Sequence, residues 1–167
     1  MLTDAGTGDG SDRLRGTLVH RLLQRLGIVD DGRPLEGGLH MDEWLRAMVV
    51  RVARHDERHE VAAPGLIDDV VAMFRAVCRR QDVRDVYTAG EAFHEVPFTL
   101  LSDGRIVRGT IDCLIRSADI VTVLEFKTGR RRRGHDAQVD LYRRAAQAIF
   151  PDARIDARVI YAQDVVA

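Results

Sequence analysis

The chain has 167 residues, 46% of them hydrophobic, so it is long enough for one well-packed core and too short for us to expect two. With 25 basic and 26 acidic residues its formal charge is -1, which excludes nucleic-acid binding through overall charge alone.

No apolar run reaches membrane-spanning length and no signal-peptide pattern is present, so we expect a cytoplasmic protein without a membrane partner. Its two cysteines, Cys78 and Cys113, form no CxxC pair, which indicates a reducing compartment and argues against a zinc or iron–sulfur site.

Helical periodicity dominates the first half of the chain. Residues 1–11 are rich in Gly, Asp and Thr and lack periodicity, which predicts a flexible tail or linker. Apolar stripes predict helices at about 12–26, 42–54 and 64–80. His20 falls beside the leucine stripe of the first helix and is interpreted, on this pattern alone, as exposed. The charged segment 54–60 is interpreted as a solvated connection.

From about residue 92 the hydrophobic period becomes that of strands. The predicted strands are 93–101, 106–116, 120–127 and about 155–161, with a helix at about 136–150. Short turns predict that the first three strands form an antiparallel meander, and a right-handed crossover through the helix should place the fourth parallel to the third. We therefore expect an α/β fold: a mixed central sheet of about four strands flanked by helices, with an extra helical segment at about 30–90 before it.

The third predicted strand carries two charged residues in an apolar run. Because side chains alternate between the faces of a strand, Glu125 and Lys127 project from the same face. If the preceding strand pairs antiparallel with it, Asp112 lies across from Glu125 and the two carboxylates offer oxygen ligands to Mg²⁺. Lys127 can then position an attacking water or stabilise charge on phosphate oxygens. The alternative is an ion pair between Glu125 and Lys127 on a half-exposed face, and the pattern alone leaves both interpretations open.

Further polar residues extend this candidate site. Gln138 and Tyr142 lie four apart on the next helix, so they share a face where Gln138 can orient water or phosphate and Tyr142 can stack on a base; the alternative is an ordinary core edge. The loop after Lys127 carries Arg130, Arg131, Arg132 and Arg133. This run can bind phosphates or be merely solvated. Glu95 either supports the site or lies on an outer strand, where nearby Pro97 indicates a sheet edge.

Five short motifs occur in the order of a known nuclease family. They are Gly16-Thr-Leu-Val-His20-Arg-Leu-Leu-Gln24, Glu95-Val-Pro-Phe98, Gly109-Thr-Ile-Asp112, Leu124-Glu-Phe-Lys127-Thr-Gly and Gln138-Val-Asp-Leu-Tyr142. The chain thereby resembles the RecB/AddA-type nucleases of the PD-(D/E)XK superfamily, and among them the C-terminal nuclease domain of AddA/UvrD-like helicase-nucleases. This resemblance covers most of residues 12–163. It implies a restriction-endonuclease-like core at 92–161 within a single nuclease domain at 12–167. Segment 30–90 of this domain resembles the family only in being a helical insert.

The resemblance implies a role for each matching residue. The implied metal ligands are His20, Asp112 and Glu125. Lys127 matches the catalytic lysine, and Gln138 and Tyr142 match a helix that lines the catalytic site and the DNA path. The family most often has Asp where this chain has Glu125, which is a mild departure because Glu also occurs in the superfamily pattern.

Cofactors and partners follow from the same resemblance. It implies Mg²⁺, or alternatively Mn²⁺, and no iron–sulfur cluster, since the family's iron–sulfur variants use four cysteines. The sequence lacks a GxxxxGK[ST] loop, so this chain encodes no ATP site. The implied function is exonucleolytic digestion of single-stranded DNA in double-strand-break repair and recombination, associated with the nucleoid, with a helicase in the same chain or in a separate subunit.

Two other classes of function stay open at this point. The first is a catalytically silent DNA-binding module of a repair helicase complex, which would keep the fold and the arginine loop but lose a metal ligand. The second is a protein-interaction scaffold that would use an exposed apolar patch, such as the helix with Trp44. Such a scaffold would bind no metal.

Overall fold

A computed structural model of the chain describes residues 7–32, 35, 40–129 and 134–163. The chain forms two compact units, which divide between Arg79 and Arg80. Of the tail expected at residues 1–11, positions 1–6 lie outside the described residues, whereas positions 7–11 belong to the first helix. Among the described residues, every helix is too short or too polar to cross a membrane.

The first unit is built from helices. They are α1 (Thr7–Leu26), α2 (Met41–Val52), α3 (Arg58–Val61) and α4 (Leu66–Arg79), with a 3-10 turn at His55–Glu57 before α3. The apolar stripes of α1, α2 and α4 pack together, and Leu18, Leu45 and Phe74 are fully buried among them. Gly27 ends α1, because its φ of +64° is unfavourable for other residues and its N–H donates to the Leu23 carbonyl at 2.8 Å.

The segment at 54–60 contains an ion pair that the sequence interpretation missed. Nη1 and Nη2 of Arg21 donate to the two carboxylate oxygens of Glu57 at 2.6 and 2.9 Å. The Arg54 N–H donates to Glu57 Oε2 at 2.8 Å, and Arg21 also reaches the Val52 carbonyl at 3.3 Å. Glu57 is half-buried and ties the segment to α1, whereas the other residues of 54–60 are exposed, as expected for a solvated connection.

The second unit contains the sheet. Its elements are α5 (Gln81–Ala89), β1 (Glu91–Ser102), β2 (Arg105–Arg116), β3 (Ile120–Lys127), α6 (Gly134–Ile149) and β4 (Arg154–Tyr161). The strand order is β1-β2-β3-β4, in which the first three strands are antiparallel and β4 runs parallel to β3. This confirms the predicted mixed sheet flanked by helices. Helix α5 is the last part of the helical segment expected before it.

Helix α6 covers the part of the sheet that carries the candidate site. Its small residues Ala145 and Ala146 are buried in one apolar cluster with Val121 and Val123 of β3. Glu125 follows these valines at the next position on the same strand face. The face of β3 that packs on α6 therefore changes from apolar to charged toward the end of the strand.

Candidate metal centre

Asp112 and Glu125 lie where strands β2 and β3 stop pairing. The ladder runs from Arg116–Val121 to Cys113–Leu124, and the same register places Asp112 opposite Glu125, as predicted. Just beyond the last pair, the Phe126 N–H donates to Oδ2 of Asp112 at 2.9 Å. A side chain, rather than the backbone of β2, therefore holds the strands together at this point.

Glu125 is a buried carboxylate with only one of its oxygens satisfied. The side chain is 2% exposed, and its Oε1 accepts a hydrogen bond from Nζ of Lys127 at 2.5 Å. Its Oε2 is buried and has no hydrogen-bond donor within the described part of the chain. Burial, and then the nearby charge of Asp112, raise the pKa of Glu125 to about 7, against the opposing effect of Lys127. A bound cation would supply the missing partner.

Lys127 is fixed between β3 and α6. Its Nζ donates to Oε1 of Gln138 at 2.9 Å as well as to Glu125, and Nε2 of Gln138 donates to the Tyr142 hydroxyl at 2.8 Å. Burial raises the pKa of Tyr142, so this hydroxyl stays protonated at neutral pH. Lys127 is also the only lysine of the chain, all its other Lys/Arg positions being arginine. A lysine ammonium group is a compact point charge, whereas a guanidinium group is a larger planar fork.

The first turn of α6 is also tied to the sheet. Nδ1 of His135 and the hydroxyl of Tyr161, at the end of β4, lie 2.7 Å apart. This contact sits one residue after the start of the helix that carries Gln138. It therefore helps to fix the position from which Gln138 reaches Lys127.

Glu95 brings a third carboxylate to the site. A carboxylate oxygen of Glu95 lies within 4.8 Å of one of Asp112. The backbone of Glu95 has a φ of +52°, a left-handed conformation that costs a residue other than glycine of order 1 kcal/mol. The turn at Asp103 and Gly104 pairs Ser102 with Arg105, and this register places Glu95 across from Asp112. Strand β1 is the outer strand of the sheet, as Pro97 indicated, and Glu95 lies beside Asp112 from this edge.

The donor set fits a divalent metal ion of the magnesium type. Carboxylate oxygens are the ligands that such ions prefer, and two protein carboxylates are enough because the ion keeps several waters. Here Asp112 and Glu125 lie opposite each other, Glu95 lies beside Asp112, and Oε2 of Glu125 lacks a donor among the described residues. The second unit therefore contains an acidic group that can hold a divalent cation.

Two parts of the predicted site stay predictions. His20 lies on α1 in the first unit with a half-buried side chain, which corrects the interpretation of this histidine as exposed and leaves its role as a metal ligand to experiment. The run from Arg130 to Arg133 lies outside the described residues, so its contact with phosphates is also left to experiment.

Comparison with known proteins gives the family of the chain. A family model described as the PD-(D/E)XK nuclease superfamily matches residues 3–164. One relative, an ATP-dependent helicase/nuclease protein from Exiguobacterium sibiricum, is 27% identical over 174 residues, covering 89% of this chain and 14% of the relative. The protein of the same name from Bacillus mycoides is 26% identical over 128 residues, covering 68% of this chain and 9% of the relative. The chain thus spans a small part of these relatives.

The chain also aligns with a solved structure. A protein from Eubacterium rectale that is provisionally named an exonuclease aligns with a TM-score of 0.47 and 9% identity, over 98% of this chain and 74% of that one. The relatives in sequence are consistent with a RecB/AddA-type domain. From the family match over nearly its whole length, the chain belongs to the PD-(D/E)XK nuclease superfamily.

Proposed function

We propose that this domain is a metal-dependent deoxyribonuclease, an exonuclease that digests single strands delivered by a helicase during double-strand-break repair and recombination. The observation that carries the proposal is the buried Glu125, bonded to Lys127 through one oxygen and left, among the described residues, with the other oxygen unpartnered opposite Asp112. The helicase is inferred from the names of the relatives, of which this chain spans 14% and 9%. The motor would lie elsewhere in a longer chain or in a separate subunit.

In this mechanism Asp112 and Glu125 would hold a divalent ion, with Glu95 in support and His20 as the imidazole ligand. The ion, when bound, supplies Lewis-acid activation of a water molecule and neutralises charge on the phosphate. Lys127 acts from a fixed position, because Glu125 and Gln138 both accept hydrogen bonds from its Nζ. Its ammonium group can therefore stabilise charge that develops on a phosphate oxygen without first reorganising.

Gln138 orients this lysine rather than acting alone. Its amide is locked, since Oε1 accepts from Lys127 and Nε2 donates to Tyr142. Tyr142 is anchored by an edge-to-face contact with Phe98, whose ring centroid lies 5.7 Å away. The Gln138 amide therefore keeps its carbonyl oxygen toward the lysine.

The test is digestion of end-labelled linear and circular single-stranded DNA with Mg²⁺, with Mn²⁺ and with EDTA. We expect metal-dependent cleavage of the linear form only, abolished in Lys127→Ala and kept in the matched control Arg154→Ala, which removes an exposed cation on β4. Cleavage of both DNA forms would support a nuclease but contradict the proposal that it is an exonuclease. DNA binding without cleavage under all conditions would favour the catalytically silent module.

A further inference from the structure

The β1–β2 hairpin presents one continuous exposed face that leads away from the carboxylates. Residues on this face alternate along each strand and are paired across the hairpin by its two-residue turn. They are Glu95, Pro97, Thr99 and Leu101 on β1, and Ile106, Arg108, Thr110 and Asp112 on β2. All are exposed except Asp112, which is half-buried. The metal group and the hairpin tip are therefore opposite ends of one surface.

The tip of this face is apolar. Leu101 and Ile106 are directly paired and are 71% and 66% exposed, the largest exposed fractions of any large hydrophobic side chain in the described part of the chain. The other face of the hairpin is buried normally, with Phe98 and Ile111 in the core. The two paired aliphatic side chains form a small apolar patch that a nucleic-acid base can contact.

The tip is held in place rather than free to move with the turn. Nη1 of Arg144 on α6 donates to Oγ of Ser102 at 2.9 Å. Phe98, four residues earlier on β1, packs against Tyr142 of the same helix. The exposed apolar pair therefore has a defined position relative to Gln138 and Tyr142, which belong to the candidate site.

The charge of the tip favours a polyanion. Arg105 and Arg108 are exposed and make no ion pair with any described residue, whereas Arg116, near the other end of β2, lies 3.7 Å from Glu91. Asp103 adds one acidic group in the turn, where it accepts a hydrogen bond from Ser102. The tip thus keeps a net positive charge beside apolar side chains, a combination that suits phosphates and bases together.

We propose that this hairpin face binds a single DNA strand, with bases against Leu101 and Ile106 and a phosphate at Arg108, and directs it to the carboxylates. This inference rests on the proposed nuclease function. Six residues separate Leu101 from Glu95, which is about 20 Å at about 3.3 Å per residue. At about 3.4 Å per stacked nucleotide the strand needs roughly six nucleotides to reach from the metal group to the tip.

Binding of single strands shorter and longer than that path gives the test. Binding of single strands of 4 and 16 nucleotides is measured by fluorescence anisotropy in the Lys127→Ala background with EDTA, so that no cleavage interferes. We expect the double substitution Leu101→Ser with Ile106→Ser to weaken binding of the 16-mer about tenfold, and to weaken the 4-mer as well, because without metal the tip is the positively charged end of the face. Arg108→Gln should weaken 16-mer binding and reduce the slope of log affinity against log salt by about one.

Val50→Ser is the matched control, since Val50 is another exposed aliphatic residue, 50% exposed on α2. It should leave both affinities unchanged, and all variants should keep the circular dichroism and unfolding temperature of the parent. Unchanged 16-mer binding in both hairpin variants would overturn the inference and assign the apolar pair to a protein partner. Failure of the nuclease function would appear separately. In that case the wild-type chain would bind the 16-mer through the hairpin tip but would not cleave it.

Discussion

Glu57 and Glu125 are both shielded glutamates bonded to a basic side chain, and they differ in how completely they are satisfied. Arg21 and the Arg54 N–H reach both oxygens of Glu57, and the hydrogen bond from Arg21 lowers its pKa. Glu125 has one oxygen bonded to Lys127 and one without a donor among the described residues, and its pKa is raised to about 7. The first arrangement serves the fold, while the second keeps coordination capacity for a ligand.

The largest effect on activity is expected from Lys127, because its Nζ is bonded to Glu125, whose other oxygen lacks a donor among the described residues. Lys127→Ala should reduce the rate of DNA cleavage by about 10²–10⁴-fold, as loss of a positioned catalytic group does. Lys127→Arg should not restore the rate, since the larger planar guanidinium group cannot take the place of Nζ between Glu125 and Gln138. Single-turnover cleavage measures both. A Lys127→Arg variant with the wild-type rate would show that only the positive charge matters.

The second largest difference between the two glutamates is expected in metal binding. A divalent ion at 100 times its dissociation constant stabilises a folded protein by about 2.7 kcal/mol. We therefore expect Mg²⁺ or Mn²⁺ to raise the unfolding temperature of the wild-type chain and of Glu57→Gln, but not of Glu125→Gln. Differential scanning calorimetry with and without EDTA measures this. An equal metal response in Glu125→Gln would place the ion elsewhere.

Breaking the satisfied pair should cost stability without affecting the metal. Arg21→Ala removes two hydrogen bonds to a carboxylate and leaves Glu57 with the Arg54 N–H alone, so we expect a loss of about 1–3 kcal/mol in the free energy of unfolding. Urea denaturation gives the value. The control is Arg46→Ala, which breaks the exposed pair with Asp68 and should cost well under about 1 kcal/mol. Similar losses in the two variants would contradict the contrast.

The smallest effect is a pair of opposite pH dependences in metal-free protein. The pKa of Glu57 is lowered, so its contribution to stability is present above pH 4.5 and is lost as the pH falls further. The pKa of Glu125 is raised, so its contribution is present below pH 4.5 and is lost as the pH rises through about 7.

Unfolding temperatures between pH 3 and 8 in EDTA test these signs. Glu57→Gln should remove part of the loss on the acid side, and Glu125→Gln should remove part of the loss between about pH 4.5 and 7. Wild-type and Glu125→Gln profiles that run parallel over that range would show that the ionised Glu125 is not disfavoured in the fold.

Much of the candidate site could be predicted because it depends on short-range regularities. The period of two placed Glu125 and Lys127 on one face, and the short turns predicted the antiparallel partner that brings Asp112 opposite Glu125. The spacing of Gln138 and Tyr142 predicted a shared helix face, and Gln138 donates to Tyr142 there. Each of these predictions needs only the geometry of one strand, one turn or one helix.

Other features could not be predicted from local patterns. The ion pair of Arg21 with Glu57 joins residues 36 positions apart, and the bond from Arg144 to Ser102 joins residues 42 positions apart. The left-handed backbone of Glu95 has no local signal, since glutamate disfavours that conformation. Such contacts arise only when distant segments pack and exclude water.

The sequence by itself determined the order of the four strands, the family, and Asp112, Glu125 and Lys127 as candidate site residues, because periodicity and motif order are properties of neighbouring positions. Only the tertiary structure decided that Oε2 of Glu125 is buried without a donor among the described residues, that Glu95 approaches Asp112, and that Leu101 and Ile106 remain exposed. The reason is physical: desolvation and exposure are set by everything that packs around a group, and that environment comes from all parts of the folded chain.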